Sequence, residues 1–123
     1  MATIVTTNIG KAQAAKRLAG VTATAPQYIA IGTGVHTAAA TDTALTTEIQ
    51  RVGTNAPVTD TTTVTNDTFK VSQAFTFSGD VNVTEIGLLD AASAGNLIVS
   101  ITDTAIPFHN GDSVTFTIKI AVA

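Results

Sequence analysis

The residues of this chain that could do chemistry are few and lie far apart. His36 and His109 stand in predicted loops without a second nitrogen ligand nearby, and their spacing fits no zinc motif. Asp112 is close enough in sequence to orient His109 as a base, but no activated nucleophile accompanies the pair. The chain has no cysteine, which excludes a thiolate site. We therefore predict no catalytic residue, no metal site and no cofactor.

The Gly32-Thr33-Gly34 segment has some of the glycines of a phosphate-binding loop. It lacks the Gly-Lys-Ser/Thr ending, and no long helix is predicted to follow it. We interpret it as a turn at the end of a strand.

Glu85 is the most informative single residue, because it shares strand parity with the apolar residues Val83 and Leu89. A carboxylate that faces inward with them needs a cationic partner or several hydrogen-bond donors. Our hypothesis is a structural ion pair in which Arg51 reaches Glu85, with Glu48 as competitor or co-ligand. The alternative places Glu85 at a strand end in water.

The elements that must position these residues are strands. From Asp112 to Val122 apolar and polar residues alternate without error, which predicts a long central antiparallel strand with one buried face. Asn110-Gly111, just before it, predicts a hairpin. Thr68 to Phe77 alternates in the same way, with Gln73 on the apolar face. The predicted fold is mainly β, a single-domain antiparallel β-sandwich or barrel with a short N-terminal helix.

The N-terminal residues 1–20 predict an arm and a helix, and residues 21–123 the β domain. Asn8 is the predicted helix N-cap, and Gly20 suits the position after the helix end. The apolar stripe of this helix is weak, so we expect it to dock at the periphery or to contact a neighbour.

Three further segments complete the prediction. A buried strand is expected from Gln27 to Gly34, and a short helical turn from Thr41 or Asp42 to Ile49. Ile106 to Phe108, which contains Pro107, is expected as a separate short strand at a sheet edge.

The composition indicates a surface with few charges. Charged residues make up 12% of the chain, hydrophobic residues 45%, and the mean hydropathy is +0.35. Threonine, roughly a fifth of the residues, is β-branched and suits strands. Because exposed strand edges are normally protected by charged side chains, we expect partners to cover part of this surface. The alternative is that threonine hydroxyls alone keep the domain soluble.

Charge and hydropathy also exclude two classes of partner. A net charge of -3 gives no basic stripe that could follow a phosphate backbone, so no nucleic-acid partner is expected. No apolar run approaches the ~18 residues of a membrane span, and the first twenty residues are not a conventional secretion signal. We expect a soluble protein that does not contact a membrane.

Several strings in the chain resemble a family of small tailed-bacteriophage virion proteins, labelled tail-fibre or minor structural proteins. The likeness covers most of the chain and rests on Tyr28–Gly34 (YIAIGTG), Thr41–Leu45 (TDTAL) with Glu48 and Arg51, Glu85–Ala91 (EIGLLDA), Gly95-Asn96-Leu97 and Gly111–Val114.

The resemblance implies a non-enzymatic virion component, present in multiple copies as a homo-oligomer, with a trimer expected. It implies architectural roles for Glu85 and Arg51. We expect partners such as the major capsid or tail protein, contacted through apolar faces and residues 1–20. Both a head-decoration subunit and a tail-fibre position fit it. The alternative function is an adhesion module for a host receptor or glycan, which the 5% aromatic content and the buried position predicted for Tyr28 disfavour.

Overall fold

The chain forms two antiparallel β-sheets packed face to face, as a computed structural model that describes residues 2–122 shows. The elements are β1 (Thr3–Thr6), α1 (Asn8–Leu18), β2 (Tyr28–Gly32), β3 (Glu48–Val52), β4 (Val58–Asp60), β5 (Thr68–Thr76), β6 (Val81–Leu89), β7 (Leu97–Phe108) and β8 (Ser113–Ala121). The large sheet has the order β1-β7-β6-β2-β3 and the small sheet β4-β5-β8. The predicted mainly-β sandwich is confirmed, and the barrel alternative is not, because the two sheets do not close into one.

The core lies between the two sheets and draws side chains from both. Phe77 stacks on Phe108 with ring centroids 4.4 Å apart, and Phe116 meets Phe75 edge-on at 5.6 Å. The buried apolar set is Ile29, Ile31, Val71, Phe75, Phe77, Val83, Ile86, Leu88, Ile98, Val99 and Ile118. Alternating residues of each strand therefore supply the inner face, as the sequence pattern of β5 and β8 predicts.

The position of the last strand differs from the prediction. β8 covers Ser113–Ala121 and buries one face as expected, but it forms one edge of the small sheet, and β5 is the central strand. The alternation indicates which side chains are buried, but it does not indicate whether the strand pairs with one neighbouring strand or with two.

The Asn110-Gly111 turn is also used differently. It connects β7 of the large sheet to β8 of the small sheet, so it is a corner between sheets and not a hairpin. Gly111 has φ +88° and donates its N–H to the Phe77 carbonyl, which anchors the corner to β5. β7 itself runs unbroken through Pro107, beyond the stretch that β1 covers, where a proline at a free edge is tolerated.

The N-terminal helix begins one residue earlier than the sequence predicts. Thr7, and not Asn8, is the N-cap: its hydroxyl accepts the Gly10 N–H at 2.9 Å and donates to main-chain carbonyls of β7. At the other end Gly20, at φ +74°, donates to Arg17, and Val21 donates to Lys16. These two bonds confirm Gly20 as the residue that ends the helix.

The N-terminal residues are built into the sandwich. β1 pairs antiparallel with β7 as an edge strand of the large sheet. Gly10 lies against the Ile98 backbone so closely that a Cβ there would sit 2.3 Å from the Ile98 carbonyl oxygen. Helix residues such as Ala14 line one groove with Phe69 and Ile120 of the small sheet, so α1 lies across one end of the sandwich. At eleven residues it is too short to cross a membrane, and it is the only helix among residues 2–122.

Candidate functional site: a buried carboxylate under a covering loop

Glu85 is buried, but on the outer face of the large sheet. The pairing of β6 with β7 shifts between Val83 and Glu85, which reverses the side-chain direction along β6. Val83 and Ile86 therefore both reach the core between the sheets, whereas Glu85 points away from it. The parity argument from the sequence correctly places Glu85 inside the molecule, at 0% exposure, but on the opposite face from Val83.

Residues 33–47, here called the covering loop, bury Glu85 from outside. Three backbone N–H groups of the loop donate to its carboxylate: Gly34 at 2.9 Å, Thr46 at 2.8 Å and Thr47 at 2.7 Å. Leu45 packs on the same outer face in a small apolar cluster with Leu89. Three charge-assisted bonds replace the water that a buried carboxylate loses, so Glu85 needs no cation in contact.

These bonds also explain why no helical turn forms from Thr41 to Ile49. The N–H groups of Thr46 and Thr47 would have to bond carbonyls one turn earlier, but they donate to Glu85. The chain then continues as β3, which pairs with β2. The short helix predicted there is wrong because a long-range carboxylate outcompetes the local pattern.

Gly32 and Gly34 make the close approach to Glu85 possible. A Cβ on either residue would lie 2.5 Å from the Glu85 Oε2 atom. The Gly34 N–H that a phosphate loop would offer to a ligand is already bonded to Glu85, and the Gly34 carbonyl accepts from the Thr84 hydroxyl. The Gly-Thr-Gly segment thus forms a turn that binds a carboxylate of its own chain.

His36 and Asp42 extend this polar network along the loop. His36 Nε2 lies 3.2 Å from Asp42 Oδ2, and its Nδ1 lies 3.1 Å from the Thr46 hydroxyl and 3.6 Å from Glu85 Oε1. The Ser100 hydroxyl of β7 donates to Asp42 at 2.7 Å. Loop, carboxylate and sheet are therefore tied together through side chains as well as backbone.

The pKa of Asp42 reflects the same contacts. Burial by itself raises it, but the N–H of Ala39, the hydroxyl of Ser100 and the neighbouring His36 together hold it below its ordinary value. Asp42 thus favours the charged form that accepts these bonds. From the sequence, Thr41 or Asp42 is expected only to begin a short helical turn, and this role of Asp42 is missed.

Arg51 does not reach Glu85. Its guanidinium pairs in two places with Glu48, at 2.6 and 2.8 Å, and donates to the carbonyls of Ala91 and Ala94 at 2.8 and 2.9 Å. In the β2–β3 register Arg51 faces Ala30, whereas Glu85 faces Gly32 on the other side of β2. The hypothesis of an Arg51–Glu85 pair is corrected accordingly: Glu48, the proposed competitor, is the partner, and Arg51 anchors the turn after β6.

The second histidine belongs to an exposed corner. His109 Nδ1 lies 3.1 Å from Asp80, and both side chains are largely in solvent. Asp112 accepts the backbone N–H of His109 at 2.7 Å and leaves the imidazole free of it. Asp112 stabilises the turn in this arrangement and does not orient a base. Within residues 2–122, no three His, Cys, Asp or Glu side chains are placed to hold a metal ion.

One end of the sandwich exposes several large apolar side chains, and we call it the apolar end. Val122 is 78% exposed, Val64 is 65% exposed and Val58 is 55% exposed. A groove joins Val122 with Val58, and another joins it with Val64. Sequence reasoning missed this patch because Val58, Val64 and Val122 lie in separate stretches of the chain.

The comparisons with known proteins point to one family. A family model described as podophage GP4 fiber I protein gp80 matches residues 6–122. No curated protein matches the chain. No solved structure matches it either. The matched range includes strands β2 to β8 in full and only the last residue of β1, Thr6.

Proposed function

The chain belongs to the podophage GP4 fiber I protein gp80 family, a family of tailed-phage virion proteins, and from this premise we propose that it is a non-enzymatic structural subunit of a tail fibre. In this role it is present in multiple copies and is held by contacts with other copies and with other virion proteins.

One observation carries the proposal: the polar groups that could do chemistry bind the chain itself. Glu85 accepts three N–H groups of the covering loop, and Asp42 accepts from Ala39, Ser100 and His36. No buried side-chain nitrogen or oxygen within residues 2–122 lacks a hydrogen-bond partner. A catalytic site must keep polar groups available for a substrate, whereas every polar group of this network is bonded within the chain. The network therefore has the properties of a structural element that fixes the loop to the sheet.

The sequence segments that carry the resemblance contact one another in this network. Gly34, Asp42 and Glu85 come from three separate stretches of sequence, yet they lie within one hydrogen-bonded network around the covering loop. This supports the architectural role proposed for Glu85.

We place the attachment to a different virion protein at the apolar end. Three exposed apolar side chains, Val58, Val64 and Val122, line neighbouring grooves there, and the sequence offers few charges to keep such a patch dispersed in water. Arg17 of α1 lines two of the grooves that contain Val122, so the expected docking segment, residues 1–20, borders this patch. A position in a tail fibre is favoured over head decoration by the family description alone.

The test uses phage particles assembled with variants of this chain. Val64→Glu with Val122→Glu should remove the subunit from the particles, measured by immunoblot of purified virions, while the melting curve of the isolated protein stays unchanged. Val35→Glu is the matched control, because Val35 is 87% exposed but lines a cleft at the opposite end. Equal incorporation of all variants would contradict the attachment surface.

The fibre function itself is decided by imaging. Gold-labelled antibody against this chain should bind the tail region of intact particles, and label over the whole capsid surface would favour head decoration instead. The mass of the purified protein tests self-association, including the trimer expected from the resemblance.

A further inference from the structure

The two lateral sides of the sandwich differ in whether the chain connects the two sheets. On one side the chain itself links the sheets: residues 53–57 run from β3 to β4, and Asn55 bonds the Gln73 side chain and the Ser72 carbonyl of β5. On the opposite side the edges of β1 and β8 lie next to each other across a groove, with no described strand beyond either. We call this the open side.

The backbone of β8 presents a regular row of free groups on the open side. Phe77 donates to Asp112 at one end of the β5–β8 ladder, and Val122 donates to Asp67 at the other. Because bonded residues alternate in an antiparallel ladder, the even-numbered residues of β8 bond to β5. The N–H and C=O groups of its odd-numbered residues, from Ser113 to Ala121, therefore point away from the sheet.

This edge lacks the usual protection against strand pairing. β8 contains no proline, its pairing with β5 has no bulge, and Lys119 is its one charged residue. At the other edge of the small sheet, β4 has three residues, follows Pro57 and carries Asp60. Natural proteins protect an exposed edge by a short strand or by charged residues, as at β4. The long, almost uncharged edge of β8 is therefore suited to pair with a partner strand.

Apolar surface lies directly beside the free edge. Ile4 of β1 is 68% exposed and lines a groove of about 330 Å³ with Ile101 of β7 and Ile120 of β8. A partner that pairs with β8 would cover this groove as well. Backbone bonds and apolar burial would then act at the same surface.

We propose that the β8 edge pairs antiparallel with the β8 edge of a second copy of this chain, around a two-fold axis at Thr117. The register sets Thr117 opposite Thr117, Thr115 opposite Lys119 and Ser113 opposite Ala121, so no two lysines face each other. Every free N–H and C=O of one edge then meets its complement, with about ten backbone hydrogen bonds across the pair. A surface that fits itself in this way is what a two-fold contact requires.

The available area is sufficient for such a contact. Nine residues at ~3.3 Å each give an edge about 30 Å long, and two sheet layers give a side roughly 20 Å deep. Each copy would then bury about 600 Å², or ~1,200 Å² in total, the lower end of the range for specific interfaces.

The inference rests on the self-association within the proposed function and specifies its surface. A two-fold contact joins copies in pairs, so it yields a dimer alone, or six copies where it links two of the trimers expected from the resemblance. Purified protein should therefore show two or six copies by light scattering. One or three copies would overturn the β8 pairing without touching the fibre assignment, which depends on the location in the particle.

A single cysteine tests the register, because the chain has none of its own. Directly opposed residues in a bonded pair have Cα atoms about 5.5 Å apart, within the range a disulfide spans. Thr117→Cys should give a crosslinked dimer under mild oxidation. Thr115→Cys is the matched control, equally exposed on the same strand but roughly 13 Å from its own copy in this register. No crosslink at position 117, or equal crosslinking at both positions, would overturn the register.

A proline tests the edge bonds. Thr117→Pro removes a donor that points outward and leaves the backbone bonds from β8 to β5 intact, although it also removes the Thr117–Ser72 hydroxyl bond. The expected result is a monomer with the parent's circular dichroism spectrum. Lys119→Glu, made as a second variant, reverses the charge opposite Thr115 without altering the backbone and should retain the pair. A Thr117→Pro protein that folds and keeps the parent mass would refute the pairing.

Discussion

The outer faces of the two sheets differ in how they meet their surroundings. The large sheet is covered by its own chain: the covering loop is bonded to Glu85, and Leu45 packs beneath it. The small sheet presents a bare face, where Ser72 and Thr117 bond each other at 2.8 Å and Lys119 reaches Asp60 at 3.2 Å in solvent. A buried carboxylate therefore holds the cover on the face of the large sheet, whereas solvent-exposed hydroxyls form the face of the small sheet.

This difference determines where the stability of the fold depends on single residues. A covered face concentrates its stability in a few bonds that water cannot replace, and a wet face spreads it over contacts that water can replace. The loss in free energy of unfolding should consequently be several-fold larger for substitutions on the covered face than for substitutions on the bare face.

The largest effect is expected at Glu85. Glu85→Gln keeps the shape but replaces a carboxylate oxygen by an NH₂ group, so at least one loop N–H loses its acceptor and meets another donor. We expect a loss of about 3 kcal/mol in the free energy of unfolding, measured by urea titration. Glu48→Gln, at an ion pair near the surface, should cost under about 1 kcal/mol. Equal losses in the two variants would show that the buried carboxylate does not hold the loop.

Gly34→Ala should have the next largest effect. The added methyl would lie 2.5 Å from both Glu85 Oε2 and the Thr46 side chain, so the loop must move away from the carboxylate. A cost of about 1–3 kcal/mol is expected from such overpacking. Gly79→Ala is the control, because nothing lies within 4 Å of a Cβ at that turn. Matching melting temperatures for the two variants would mean that the loop is not packed against Glu85.

Arg51→Ala ranks third. The guanidinium side chain is 10% exposed, and its loss frees Glu48 and the carbonyls of Ala91 and Ala94. Because the turn that carries these carbonyls lies at the surface, water can reach them, and we expect a loss of about 1–2 kcal/mol. Lys119→Ala, at the exposed pair on the bare face, should cost less than about 0.5 kcal/mol. A loss as large as that of Glu85→Gln would show that the two sites act as one unit.

The pH dependence should come from carboxylates on both sides of the molecule. Asp67 accepts backbone N–H bonds from Val64, Thr62 and Thr63, which hold its pKa well below the ordinary value, and the pKa of Asp42 is lowered as well. Such groups stabilise the fold above their ordinary pKa of about 4, and the stability is lost as the pH falls below it. The urea midpoint should therefore begin to drop below about pH 5 and continue to drop to about pH 2. Asp67→Asn should flatten this slope, and an unchanged slope would contradict the role of the N–H bonds.

The fold was predictable where side-chain burial alone decides it. The alternation in β5 and β8, the buried Gln73 and the helix end at Gly20 are all visible in the sequence, because each depends on neighbours one turn or two residues away. The topology was not: whether Asn110-Gly111 closes a hairpin or turns between sheets depends on which strand receives β8.

The sequence identifies Glu85 as the key residue of the site, but it does not identify the hydrogen-bond donors of Glu85. Glu85 is marked by a charge among apolar residues, but its donors are backbone N–H groups of Thr46 and Thr47, about forty residues away, which carry no side-chain signature. Sequence reasoning searches for a cation and finds Arg51. A register shift in β6 further sends Glu85 to the face opposite Val83, and no residue type announces that shift.

The smallest effect is expected on the bare face. Ser72→Ala removes one hydroxyl from the Ser72–Thr117 bond, and water can take its place, so the free energy of unfolding should change by less than about 0.5 kcal/mol. The same substitution lies one strand away from the edge of β8 and leaves the backbone groups there intact, so the oligomer mass should also stay at the parent value. A loss comparable to that of Gly34→Ala would erase the contrast between the faces, because it would mean that the threonine-rich surface is held by specific bonds rather than by solvation.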